Sequence, residues 1–202
     1  MTLVSFVHGV AFVQYAFAIM IYAAIMIKAF DASVGVFVRG LTNLKVLLTK
    51  GEAHASSRSL LDAKLADDMY TLATQAHWAS EGAKLAVHKL LGFAPTPMAR
   101  EGKTFAELHA RIDETIAFLE AVDPKALEAG LERTIGLPVR GEVKELRGDR
   151  FLLEFAVPGF YFHLTAAYAI LRHEGVNVQK GDFLGGAAAS PSPDGGSAVE
   201  IR

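Results

Sequence analysis

The stretch DRFLLEFAVPGFYFHLTAAYAILRHE, residues 149–174, decides how this chain folds. Between Phe155 and Leu171 it holds no Asp, Glu, Lys or Arg. A helix that is apolar nearly all round belongs in the middle of a bundle, where every face finds a partner. On that reading Phe155, Phe162 and Leu171 are buried. Pro158-Gly159 must kink this helix or divide it in two, because proline removes a backbone donor and crowds the preceding turn. Gly175 is its stop.

Three further helices supply the partners. In the first, Val34, Phe37, Leu41, Leu44 and Leu48 recur at three- and four-residue steps. Asp31 or Ser33 is its expected cap, and Gly51 follows its end. The second is expected over about Asp67 to Leu91, with Met69, Leu72, Ala76, Ala79, Ala83, Val87 and Leu90 on one face. Gly92 and the Pro95/Pro97 pair stop it. The third opens with the capping box Thr104-x-x-Glu107, carries Phe105, Leu108, Ile112, Ile116 and Leu119, and ends near Asp123-Pro124. Between helices three and four the period changes. Arg133 to Val139 and Glu142 to Leu146 alternate around Arg140-Gly141, the pattern of a short hairpin. The expected class is all-α, a four-helix bundle with a small β-hairpin between helices three and four.

The bundle occupies residues 28–185. Residues 1–27 form an extension without any Asp, Glu, Lys or Arg. It reads as a start assigned too early, as a membrane segment of the roughly 20 apolar residues a span needs, or as a buried helix. A secretory signal fits worst, since no basic residue precedes the apolar run. The early start is the reading favoured here, which makes the protein cytoplasmic. The alternative is a single-span anchor with the bundle in the cytoplasm, because Lys28, Arg39, Lys45 and Lys50 follow the run. Residues 186–202 are a Gly-, Ser-, Pro- and Ala-rich tail, expected to be disordered.

Composition excludes several chemistries. The chain has no cysteine, so disulfides, thiolate metal sites and cysteine nucleophiles are out. A net charge of −2 without a basic cluster gives no reason to expect nucleic acid. Neither a nucleophile elbow, a phosphate loop, a dinucleotide fingerprint nor an H-E-x-x-H motif is present. Asp67-Asp68 and Asp113-Glu114 fit helix starts or exposed turns. The aromatic cluster of the last helix reads more as core than as pocket, yet Pro158-Gly159 is where a cleft would open. Tyr161, Tyr168 and Trp78 are the candidates for ligand contact.

Four stretches, FDASVGVFVRGLTNL from Phe30, LADDMYTLATQ from Leu65, TFAELHARIDETIAFLE from Thr104 and FYFHLTAAYAILRHEGV from Phe160, together with a closing KGDFLG, carry a resemblance. In order and spacing they resemble an uncharacterised domain-of-unknown-function family of the DinB/YfiT-like metalloenzyme superfamily. The resemblance covers about Lys28 to Gly185, with Gly35 where the family commonly has proline. It implies a DinB-like bundle in which a divalent metal, nickel or zinc, is held by one histidine on helix two and an H-x-x-x-H pair on the last helix. Positions four apart share a helix face, so two imidazoles can reach one ion. His77 and His163 match that pattern, but the fourth residue after His163 is Ala167. His173 lies about 15 Å further along the helix and is rotated away.

Glu81, one turn after His77, is the nearest substitute, making His77, Glu81 and His163 the candidate metal set. Tyr70, Thr74, His77, Glu81, Lys84 and His88 also form one stripe, which reads as a solvated face, as a polar cleft or as this metal site. His163 reads as a core histidine with one satisfied ring hydrogen bond. His173 makes a favourable contact at a helix C-terminus, and His54, His88 and His109 are expected to be exposed. Two functions stay open. One is a small-molecule hydrolase or transferase built on a polar cleft or degenerate metal site. The other is a non-catalytic bundle that binds an apolar ligand or dimerises. Bundles of this superfamily commonly pair, and Val36, Val38, Val46 and Leu47 lie off the first helix's main stripe, so a homodimer is expected.

Overall fold

The computed structural model describes residues 28–54, 60–94, 102–139 and 141–185. The expectations for residues 1–27 and 186–202, for Pro95/Pro97 and for Arg140 lie outside them. Four long helices form the bundle: α1 (Val36–Glu52), α2 (Leu72–Leu91), α3 (Phe105–Glu120) and, after the short α4 (Pro124–Gly130), the hairpin of β1 (Thr134–Val139) and β2 (Glu142–Arg147) and the single turn α5 (Gly148–Phe151), the last long helix α6 (Val157–His173). A final short helix, α7 (Lys180–Leu184), packs on α1. Both α1 and α2 pack against α3 and α6, so α1 and α2 face each other across a diagonal with little contact of their own.

The expected stripes fill the core. Phe37, Leu41, Leu44 and Leu48 of α1 are buried, as are Leu72, Ala76, Ala79, Ala83, Val87 and Leu90 of α2 and Phe105, Leu108, Ile112 and Leu119 of α3. Two glycines set how closely the elements approach. A Cβ on Gly40 would stand 2.5 Å from the Phe160 ring, and one on Gly130 would stand 2.4 Å from the Leu90 carbonyl oxygen. The capping box at Thr104 is fully formed. Asp31–Glu52 is, among the described residues, apolar and long enough by composition to cross a membrane, but half of that window is buried, as in a core helix.

Several boundaries differ from expectation for local reasons. Helix α1 has no side-chain cap at Asp31 or Ser33. Both lie within a π-turn (Asp31–Gly35) that helical backbone at residues 29–30 already precedes, and the Ser33 hydroxyl donates to the Ala29 carbonyl at 2.6 Å. Gly51 lies inside α1, with Leu171 packed over it. Helix α2 starts at Leu72 and not at Asp67, because Thr71 is extended and its hydroxyl accepts the Thr74 N–H at 3.2 Å. Asp123 caps α4, a helix with Pro124 in its first turn that the sequence reading missed along with α7.

Gly148 to His173 stays helical throughout, so Pro158 does not divide it. A π-turn (Leu152–Ala156) precedes the proline, with the Val157 N–H donating to the Leu152 carbonyl five residues back. That wider turn relieves the crowding an α-helix would impose ahead of proline.

The all-round burial expected of the last helix is corrected as well. Phe155 is 54% and Phe162 58% exposed, while Leu171 is buried. The dimer surface expected on α1 loses Leu47, which is buried in the core, and of the four only Val46 is exposed.

Candidate functional site

A cleft of about 360 Å³ opens between α2 and α6 beside the π-turn. Trp78, Gly82, Leu85, Ala86 and Lys89 line it from α2. Phe151, Phe155, Ala156, Gly159, Phe160 and His163 line it from the opposite side, and Tyr70 closes one end. Helix α2 supplies its wall because positions 78, 82, 85, 86 and 89 fall on one helical face. The expected opening at Pro158-Gly159 is there, with Gly159 in the wall. Of the three expected ligand contacts only Trp78 lines the cleft. Tyr161 packs on Phe160 with ring centroids 5.5 Å apart, and Tyr168 packs on Phe183 at 5.6 Å.

His163 is the polar focus. Its Nδ1–H donates to Gln75 Oε1 at 2.8 Å. That bond fixes the tautomer and leaves Nε2 with the lone pair. Trp78 and Tyr70 lie near-parallel to the ring, with centroids 6.3 Å and 6.4 Å away, and Phe162 meets it edge-on at 5.3 Å. The single ring hydrogen bond matches expectation, although the ring is half-buried at a cleft wall and not inside the core.

His77, Glu81, Lys84 and His88 of α2 do not line the cleft. His77, Glu81 and His88 are buried rather than solvated. Glu81 accepts from Arg111 Nη1 at 3.1 Å, and Lys84 pairs with Glu114 at 3.2 Å, both across to α3. His88 is capped edge-on by Phe118 of α3 at 4.8 Å and by Phe93 at 5.5 Å, which explains why it is not exposed. His77 sits edge-on to Trp78 at 5.6 Å. Gln75 reaches His163 while His77, two residues on, is turned about 200° around the helix. Glu81 therefore faces α3, while Gln75 faces His163 on α6.

Residues 29–184 match the model of a family described as Domain of unknown function (DUF1993). The chain belongs to that family. The DUF1993 chain is also similar to a crystal structure of a DinB family member protein from Shewanella denitrificans. The two are 35% identical with a TM-score of 0.71, over 81% of this chain and 93% of that one. No curated protein matches.

The metal that DinB resemblance implies does not fit the described residues. Among the described residues no three His, Asp or Glu side chains gather where one ion could reach them. Glu81, the expected third ligand, is committed to a buried ion pair with Arg111.

Burial pushes the His163 imidazole of this DUF1993 chain below its ordinary value. Burial, with Lys84 nearby, does the same to His88, against a smaller upward pull from Glu81. The unfolded chain therefore takes up these protons first as the pH falls. The resulting stability is present above about pH 6.5 and lost as the pH drops from there through the folded values. The urea midpoint is expected to fall between pH 7.5 and 5.5, and to fall less in a His88→Gln, His163→Gln double variant. An equal fall in both proteins would assign the loss to other groups.

Proposed function

We propose that this protein is a non-catalytic binder of an apolar ring compound, which it takes into the α2–α6 cleft. The observation that carries this reading is the make-up of the wall: rings from Tyr70, Trp78, Phe151, Phe155 and Phe160 surround one imidazole and one lysine, the lining residues include no carboxylate, and the one amide nearby, Gln75, is bonded to the imidazole. A mostly apolar concavity with few polar groups is the usual form of a small-molecule site, and its volume lies within the range such sites occupy. Lys89 Nζ donates to the Gly136 carbonyl of β1 at 3.2 Å, which ties this lining residue to the hairpin.

Trp78 is the chain's single tryptophan and stands in the cleft, so its fluorescence reports occupancy directly. Titration with naphthalene is expected to change that fluorescence saturably, with a midpoint on the order of 10–100 µM for a ligand of this size. No saturable change with naphthalene or its hydroxyl and carboxylate derivatives would overturn the reading.

A further inference from the structure

We infer that Gly82 and Gly159 are the specificity-determining floor of the cleft, and that its ligand is a flat, uncharged aromatic carrying a hydrogen-bond donor for His163 Nε2. This deepens the binding reading above and rests on it.

Glycine in a helix interior is less stable than alanine, so its presence calls for a reason. Packing supplies one elsewhere: a side chain at Gly40 would strike Phe160, one at Gly51 would come within 2.8 Å of Leu171, and one at Gly130 would strike the Leu90 carbonyl. Gly82 in α2 and Gly159 in α6 differ, since a Cβ on either meets nothing within 4 Å. Gly181 is similarly open but lies exposed in the five-residue α7. Both Gly82 and Gly159 line the cleft. The protein's own packing therefore does not require these two side chains to be missing. What their absence provides is room in the cleft, on the two helices that face each other across it.

The ligand's chemistry follows from the walls. Phe151 and Phe155 are near-parallel, with centroids 5.9 Å apart and planes 23° from parallel, and Trp78 lies 23° from the His163 plane. Such walls accept a planar ring by offset stacking. The polar reader is His163, whose Nδ1–H is committed to Gln75, so Nε2 accepts a hydrogen bond and does not give one. Burial lowers the pKa of the ring and so favours its neutral form, which suits a hydroxyl or ring N–H better than a carboxylate. Lys89, the cation on the rim, already donates to Gly136.

Calorimetric titration of the full chain with naphthol, naphthalene and naphthoate tests this. Naphthol is expected to bind about tenfold more tightly than either other compound. His163→Leu should remove that advantage. Gly82→Leu and Gly159→Leu, which enter open space, should melt no lower than wild type yet bind naphthol about tenfold or more weakly. Gly82→Ala and Gly159→Ala, the smaller changes, should raise the melting temperature and weaken binding less, which keeps the test decisive if a leucine variant fails to fold. Unchanged affinity in all the glycine variants, or naphthoate binding best, would overturn the inference while leaving the cleft a binding site. Failure of wild type to bind any of the three would sink the binding reading itself.

Discussion

Phe160→Ala is expected to lower the unfolding free energy by about 3–5 kcal/mol, the range for emptying an aromatic core site. Phe160 is 2% exposed, meets the Phe37 ring edge-on at 5.1 Å and fills the space that Gly40 leaves open. The glycine beneath it has no side chain to refill the cavity. Phe162, two residues on, points the other way, and Phe162→Ala should cost under about 1 kcal/mol, as exposed substitutions do. Urea unfolding with an unchanged m-value measures both. Equal losses would mean that α6 is rotated from the position described.

The second large effect concerns charge. Arg111→Leu is expected to destabilise the bundle by about 3–5 kcal/mol, because it strands a buried carboxylate. Glu81 is 7% and Arg111 15% exposed at the side chain, and their contact at 3.1 Å joins α2 to α3. The loss should come from the orphaned partner and not from the pair's intrinsic worth. A Glu81→Leu, Arg111→Leu double variant should therefore recover most of it. If the double variant is as unstable as the sum of the two singles, the pair does not couple and this account of α2–α3 packing fails.

Legibility in the sequence followed the range of each interaction. The Thr104 capping box, the Gly92 stop and the hairpin around Gly141 depend on residues a few positions apart, and all were readable. So were the core faces of α1, α2 and α3, because their apolar residues leave a polar remainder that marks the outside. The last helix has no such remainder, and periodicity could not tell buried Phe160 from exposed Phe162. The stripe of His77, Glu81 and His88 looked solvated because its partners, Arg111 and Phe118, are supplied by another helix. Trp78 and the opening at Gly159 were identifiable as parts of the site. The pairing of His163 with Gln75 was not, since it joins side chains that are 88 positions apart. Gly82 did offer a signal: an unexplained glycine inside a helix otherwise rich in alanine.

The ring order of the bundle has a consequence for its synthesis. Helices α1 and α2 barely touch, and each needs α6, the last long helix to be made, to cover a face. The nascent chain therefore leaves the ribosome with the Gly40 groove of α1 and the cleft wall of α2 bare until residue 173 has cleared the exit. Closure of the core waits on α6, and it joins Phe37 to Phe160 across most of the described length. Until α6 docks, a chain made only as far as Val157 holds a half-core, with the apolar faces of both α1 and α2 uncovered.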